Sequence, residues 1–131
     1  ENKLPFICVN PDYESIEKNK NNEKIICMGT IGKLYESFGG KVHILGKPSK
    51  HIYEKATKSI INFEKSRTIA IGDSVSHDIV GAYNFGIKSI LITSGIHKDV
   101  FQSKNLNFNE AIDELSEFNI KADYMCDKLV F

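Results

Sequence analysis

Hydrophobic residues along this chain occur in short clusters, and two of these clusters stand close together in its second half. Segments 68–71 and 89–93 are compact apolar and β-branched runs with the length and composition of buried strands. Between them, Ser74 or Ser76 can cap the start of a short helix, and Gly86 suits the left-handed residue that ends it. The pattern predicts a strand, a crossover helix and a second strand parallel to the first.

Similar patterns predict further elements on both sides of this crossover. Strands are expected at 5–9, 25–28 (alternatively the lead-in to a helix), 42–45 and 122–125. Helices are expected at 31–38, 52–63 and 110–118, while 96–108 should run over the surface. The crossover helix should turn Ile79, Val80 and Tyr83 inward. The alternation of strands and helices indicates an α/β fold built on a parallel sheet.

Composition narrows the class of protein. The 131 residues are 41% hydrophobic, which is enough apolar material for one compact unit, and 17 basic side chains balance 17 acidic ones. Without a basic stripe, nucleic acid and anionic membranes are not expected partners. No apolar run reaches membrane-spanning length and no leader is evident, so we expect a cytoplasmic location. Cys8, Cys27 and Cys126 lack C-x-x-C spacing and should be reduced thiols.

Two aspartates follow the first strand of the crossover. Gly72 allows close backbone approach at the strand end, Asp73 comes next, and Asp78 lies five residues later at the helix start. Ligands of open α/β sheets bind at this edge, and two neighbouring carboxylates stay ionised when they share a hard cation such as Mg²⁺. The alternative is that the aspartates only close a turn and cap a helix.

Lys47 is the second candidate for chemistry. It follows the strand at 42–45, and Pro48 with the capping residue Ser49 fixes the backbone beside it, so its ammonium could meet a phosphate or a carboxylate. The alternative is an ordinary surface lysine. His97 lies just past the end of another strand, near the same proposed site, where a structural histidine is the competing interpretation.

These motifs together resemble a known family. Gly46-Lys47-Pro48, followed by the run GDSVSHD at 72–78, is similar to the third and fourth motifs of the haloacid dehalogenase-like (HAD) superfamily of magnesium-dependent phosphohydrolases. The closest resemblance is to class IIA, the nitrophenylphosphatase and N-acetylglucosamine-catabolism-associated type. The N-P-D turn at 10–12, the small-residue helix at 29–38 and the segment 93–97 match that class in order.

The resemblance implies a fold and a set of roles. Residues 1–45 would be the carboxyl-terminal part of an α/β cap, and 46–131 the carboxyl-terminal half of a three-layer, Rossmann-like core. Lys47 would be the catalytic lysine that binds phosphate, and Asp73 a Mg²⁺ ligand. Asp78 would bind the metal through a metal-bound water or pair with the lysine. Residues on the substrate side would be Asn10, Asp12, Ser74 and His97, facing a phosphorylated small molecule.

The nucleophile of the family is absent from this sequence. Members attack phosphate with the first aspartate of a D-x-D motif, and this sequence contains no D-x-D and no second-motif Ser or Thr. We therefore expect the carboxyl-terminal portion of a phosphatase, inactive alone, whose partner is the missing amino-terminal half or a second copy. The strand from Thr68 should expose an apolar edge.

Two other functions remain open at this point. A phosphoreceiver-like signalling domain would use Asp73 as the phosphoryl acceptor, although receivers place the lysine-proline pair after that acceptor. A non-catalytic remnant would only bind a phosphorylated ligand or a partner half.

Overall fold

The structure is a computed structural model that describes residues 4–18, 20–103, 110 and 121–130. Its strands are β1 (Phe6–Cys8), β2 (Glu14–Lys18), β3 (Lys24–Ile26), β4 (Val42–Ile44), β5 (Ile69–Gly72), β6 (Lys88–Ile92) and β7 (Tyr124–Cys126). Its helices are α1 (Met28–Ser37), α2 (Lys50–Thr57), α3 (Val80–Phe85) and α4 (Lys98–Ser103). A 3₁₀ turn (Lys65–Arg67) precedes β5, and a π turn (Val75–Ile79) follows it.

The first part of the chain forms two small sheets. Strands β1 and β4 pair in parallel, with α1 packed on them, and β2 and β3 form an antiparallel hairpin. Asn22, at φ 63°, lies in the hairpin loop, and Gly39, at φ 76°, follows the end of α1. Of the two alternatives for 25–28, the strand is observed as β3, and α1 begins directly after it.

The second part forms the predicted parallel sheet. Strand β6 lies between β5 and β7, and both pairings are parallel. Ser74 caps the turn after β5 by accepting from the backbone N–H of His77, and Gly86 ends α3 in the left-handed conformation, as the sequence predicts. The α/β fold class is therefore confirmed.

The apolar core lies under this sheet. Its buried residues are Val75, Ile79, Leu91 and Ala122. Phe101 and Met125 are partly buried and pack against this cluster. Tyr83, predicted to face inward, is 66% exposed. The buried residues of α3 are Val80, Gly81, Ala82 and Phe85, so the helix turns its face with the small residues inward and Tyr83 lies on the other side.

Three further predictions differ from the structure or lie outside it. The helix predicted at 52–63 is observed at Lys50–Thr57 and ends in a turn in which the carbonyl of Thr57 accepts from the N–H of Ile60 at 3.0 Å. The chain then turns, and the Phe63 ring packs 6.0 Å from that of Phe85. The surface segment at 96–108 contains α4, and the helix at 110–118 falls outside the described residues except for residue 110.

One edge of the second sheet is apolar. Within the described residues β5 pairs on one side only, and Ile69 and Ile71 are 40% and 47% exposed. Such an edge is a template for another strand. Among the described helices, none has both the length and the apolar character needed to cross a membrane.

Candidate functional site

A cleft of about 330 Å³ opens at the carboxyl end of β5, beside the residues that follow β1 and β4. Six of the seven residues proposed from sequence line it: Asn10, Asp12, Lys47, Asp73, Ser74 and Asp78. The cleft also contains residues that sequence reasoning did not assign to the site, namely Ser15, Cys27, His77 and Ile96. The topology therefore brings the lysine and both acids to one place.

Asp78 is the most enclosed of these groups. Its side chain is 10% exposed, and one carboxylate oxygen accepts a hydrogen bond from the ammonium of Lys47. The other oxygen accepts from the backbone N–H groups of Asp73 and Ser74, each at 3.1 Å. Three donors, one of them charged, hold this buried carboxylate in a single orientation. Lys47 is 52% exposed, so its ammonium also reaches the cleft.

The loop between β5 and α3 has the geometry that this pairing needs. The carbonyl of Ser74 accepts from the N–H of Asp78 at 2.8 Å and from that of Ile79 at 3.2 Å, which gives the turn its π character. A Cβ on Gly72 would lie 2.2 Å from the Asp78 carboxyl carbon, so only glycine leaves room for the acid there.

Asp73 is held less completely. One of its oxygens accepts from the backbone N–H of Ile96 at 3.1 Å, and a Cβ on Gly95 would come within 2.3 Å of that same oxygen. No described residue donates to the other oxygen, while the side chain lines the cleft. Asp73 therefore has one carboxylate oxygen for a ligand, whereas both oxygens of Asp78 are already bonded.

His97 does not line the cleft. Its Nε2 accepts from the backbone N–H of Val75 at 3.2 Å, which joins the segment after β6 to the π turn. Burial lowers the pKa of His97 below its ordinary value of 6.5, against an opposing effect of the Asp73 carboxylate. A neutral ring is the form that can accept from Val75. In the structure, His97 therefore holds the loop after β5 and does not face the cleft.

Two residues near the site, His77 and Tyr53, were not assigned to it from the sequence. The Nδ1 atom of His77 lies 3.2 Å from an Asp12 carboxylate oxygen and 3.0 Å from the Ser74 hydroxyl. The Tyr53 hydroxyl donates to the backbone carbonyl of Asp78 at 3.3 Å, and burial, followed by the Asp78 charge, raises the pKa of Tyr53. The position of His77 between two acids was the available signal, whereas nothing in the spacing indicates Tyr53.

The carboxylates of the cleft could supply part of the coordination shell of Mg²⁺, but not all of it. Among the described residues, no three His, Cys, Asp or Glu side chains converge as a metal cluster. Magnesium sites commonly take only one or two carboxylates from the protein, with water and substrate phosphate completing the shell. Asp73 can provide such a ligand directly, and Asp78 is buried beside it.

Comparison with known proteins shows which proteins the chain is similar to. A family model described as HAD-hydrolase-like matches residues 44–130. The acid sugar phosphatase of Staphylococcus aureus is 32% identical over 129 residues, which cover 88% of this chain and 47% of that protein. The chain therefore spans about half the length of the curated relatives it matches.

Solved structures share the fold. A haloacid dehalogenase-like hydrolase from Brucella suis is 30% identical, with a TM-score of 0.71, over 98% of this chain and 45% of that one. A p-nitrophenyl phosphatase from Archaeoglobus fulgidus is 24% identical, with a TM-score of 0.67, over 95% and 43%. The second comparison carries information about the fold alone.

Proposed function

The chain belongs to the HAD-like hydrolases, and from this premise we propose that it contributes the metal- and phosphate-binding half of a magnesium-dependent phosphomonoester phosphatase. The observation that carries the proposal is the pairing of Lys47 with Asp78 beside Asp73 in one cleft. The phosphatase activity named for the Staphylococcus aureus relative points the same way.

Lys47 is the residue that meets the phosphate. Its ammonium is fixed by Asp78 and stays half exposed, so it can donate to a phosphate oxygen without a large rearrangement. Phosphoryl transfer gains most from positive charge held around the moving oxygens. Asp78 then acts mainly by orienting the lysine, because its oxygens are occupied by Lys47 and two backbone N–H groups.

The charges of the cleft call for a cation. Asp12, Asp73 and Asp78 bring three carboxylates against the one ammonium of Lys47, so a phosphate dianion would meet net repulsion. Bound Mg²⁺ would neutralise that repulsion and polarise the phosphoryl oxygens. Asp73 would hold it through the carboxylate oxygen that Ile96 does not bind.

The attacking group comes from elsewhere in this proposal. An aspartyl-phosphate mechanism needs the first acid of a D-x-D motif, which the sequence lacks. The chain alone should therefore bind magnesium and phosphate without turning over p-nitrophenyl phosphate. A strand carrying that acid would pair with the open apolar edge of β5.

Calorimetric titration of the chain with inorganic phosphate tests this function. We expect binding that requires Mg²⁺, is lost in EDTA, and weakens about tenfold or more in Lys47→Met because a charge-assisted hydrogen bond is removed. Lys50→Met is the control, since Lys50 is 68% exposed and pairs with Glu54 at 3.7 Å on the surface of α2. Equal phosphate binding by the two variants would contradict the proposal.

The receiver and remnant alternatives are separated by two further measurements. A receiver domain forms a stable beryllofluoride adduct on its acceptor aspartate with magnesium, and we expect no such adduct at Asp73. Adding the part of the Staphylococcus aureus relative that this chain does not match should restore hydrolysis if the two parts assemble. A remnant would still bind phosphate and gain no activity.

A further inference from the structure

A second pocket lies at the end of the parallel sheet opposite the cleft. It has a volume of about 550 Å³, within the range of small-molecule sites, and opens beside the residues that precede β5, β6 and β7. Strand β5 has four residues, so about 13 Å of extended chain separates this pocket from Asp73. We call it the amino-edge pocket, and its lining includes Lys65, Lys88, Lys121, Asp123 and Tyr83. None of the described residues that line it also lines the cleft, so the function proposed above does not account for it.

The amino-edge pocket carries positive charge. Its described lining has three lysines against the single carboxylate of Asp123, although the whole chain has a net charge of zero. One oxygen of that carboxylate already accepts from the backbone N–H of Ser89 at 2.9 Å. A concave surface with charge of one sign concentrates ions of the other sign. The pocket therefore suits an anion that carries two or more negative charges.

Two of the ammonium groups are held by bonds to the protein. The Lys65 Nζ atom donates to the backbone carbonyl of Phe85 and lies 4.3 Å from the centroid of that ring. The Lys88 Nζ atom donates to the Tyr124 hydroxyl at 3.2 Å. Each of these hydrogen bonds uses one of the three N–H donors of an ammonium group, so donors remain for an anion. Because the long side chains are already ordered, binding an anion costs less conformational entropy.

The position of Lys65 also makes the end of α3 compatible with an anion. A Cβ on Gly86 would lie 3.6 Å from the Lys65 Nζ atom, so the ammonium group lies beside the backbone where the helix ends. The carbonyl groups at the end of a helix carry partial negative charge and would repel an anion. The ammonium group covers one of these carbonyls, that of Phe85, and offers positive charge in its place.

Tyr83 adds an exposed aromatic ring to the same lining. The sequence predicts that this side chain faces the core, yet it is 66% exposed and lines the amino-edge pocket. An aromatic ring can stack on the flat face of a nucleotide base, while cations beside the ring bind the phosphates. A nucleotide is therefore the ligand that would use both the lysines and the ring.

We propose that the amino-edge pocket binds a nucleoside di- or triphosphate, with the phosphates at Lys65 and Lys88 and the base on Tyr83. The positive charge at this site comes from side chains, so binding does not require Mg²⁺. The cleft differs in this respect, because its proposed phosphate binding depends on the metal. The proposal for the amino-edge pocket does not rest on the function proposed for the cleft.

Calorimetric titration of the chain in EDTA tests this site, with ATP, tripolyphosphate and adenosine as ligands. EDTA removes Mg²⁺, so the cleft should not bind phosphate under these conditions. We expect ATP to bind, and tripolyphosphate to bind about tenfold more weakly because it lacks a base that can stack. Adenosine, which lacks the charges, should bind more weakly than ATP. The affinity for ATP should also fall as the salt concentration is raised.

Variants of the lysines test the phosphate end of the site. Lys65→Met and Lys88→Met should each weaken the binding of ATP and of tripolyphosphate by about tenfold, because a charge-assisted hydrogen bond is lost. Lys65→Arg keeps the charge and should retain binding, which separates the loss of charge from any change in the packing against Phe85. Lys50→Met is again the control, because Lys50 lies on α2 and does not line the pocket.

Variants of Tyr83 test the base end. Tyr83→Ala should weaken the binding of ATP by about tenfold and leave that of tripolyphosphate unchanged, because only the stacking surface is removed. Tyr83→Phe keeps the ring and should bind ATP as the unchanged chain does. The exposure of this side chain makes a loss of folding an unsuitable explanation for such a selective effect.

The outcomes distinguish the site from the identity of its ligand. If ATP does not bind in EDTA, or if Lys65→Met and Lys88→Met bind it as well as Lys50→Met does, the amino-edge site is overturned. If ATP and tripolyphosphate bind equally, or if Tyr83→Ala leaves ATP binding unchanged, the assignment to a nucleotide is overturned. Phosphate binding in the cleft is measured separately with Mg²⁺, so neither result decides the function proposed there.

Discussion

The amino-terminal region (residues 4–45) and the site-bearing region (residues 65–126) are held together in different ways. Among the described residues, seven of the eight buried hydrophobic side chains belong to the site-bearing region, and Cys8 is the one in the other. In the amino-terminal region, large apolar side chains such as Ile7 and Phe38 are 61% and 72% exposed. Its sheets therefore gain little from burial.

This difference shows where the site obtains its rigidity. The loop that carries Asp73 and Asp78 is continuous with Val75 and Ile79, two of the most buried residues of the molecule. The acids are thus fixed by the same packing that stabilises the parallel sheet. Asp12 lies in the amino-terminal region, which has fewer buried side chains. Its contact with His77 connects that region to the site-bearing region.

Truncation of a buried side chain should show the largest difference in stability between the two regions. Leu91→Ala removes a completely buried side chain from β6, and we expect it to lower the free energy of unfolding by about 2–5 kcal/mol. Ile7→Ala in β1, at 61% exposure, should cost less than about 1 kcal/mol. Urea denaturation measures both, and similar losses would show that the two regions share one core.

Two glycines give a second, smaller contrast. Gly72→Ala would place its Cβ 2.2 Å from the Asp78 carboxyl carbon, so we expect a loss of about 1–3 kcal/mol in stability together with the loss of phosphate binding. Gly32→Ala in α1 would meet ordinary contacts at 3.6 Å and should stabilise the chain by about 0.5–1 kcal/mol. Unfolding and phosphate titration of both variants check this, and a neutral Gly72→Ala would contradict the close packing described.

The smallest expected effect concerns pH. Burial lowers the pKa of His97 below its ordinary 6.5, so the unfolded chain takes up this proton at a higher pH than the folded one. The stabilisation is fully present above pH 6.5 and is lost as pH falls from there through the lower pKa of the folded state. His97→Gln keeps an acceptor for the Val75 N–H and cannot titrate in this range.

The measurement is the free energy of unfolding between about pH 7 and pH 5. His97→Gln should flatten its dependence on pH, by less than about 1 kcal/mol over that interval. His43→Gln, at an exposed position of β4, shows what the loss of a surface histidine does. An unchanged slope in His97→Gln would mean that this histidine does not titrate differently on folding.

Much of the site could be predicted because its signals are local. The apolar runs at β5 and β6, the cap at Ser74 and the left-handed Gly86 each depend on a few neighbouring residues, and the structure has all four. The position of Lys47 at the end of β4 follows from the same kind of pattern. The strands before Lys47 and before Asp73 lie in different sheets, however, so the rule for the edge of a single parallel sheet does not by itself account for the contact of the lysine with Asp78.

The rest depended on contacts between distant segments. Spacing predicts Tyr83 inward because it is apolar, whereas the helix buries the small residues Gly81 and Ala82, which carry no such signal. The early end of α2 comes with the turn from Thr57 to Ile60 and the left-handed Asn62, which the apolar spacing up to Phe63 does not indicate. The contact of His77 with Asp12 joins residues 65 positions apart in sequence, which is beyond any local pattern.

The double hydrogen bond at the carbonyl of Ser74 makes loop length as specific as residue identity. Deleting Ser76 would shorten the loop that lets the Asp78 carboxylate accept from the N–H groups of Asp73 and Ser74, so we expect the acid to lose this pair of bonds and its alignment with Lys47. Every charged side chain would still be present in such a deletion variant. A relative that keeps both aspartates but has one residue more or fewer between them would therefore have the same charged residues without the same arrangement of their side chains.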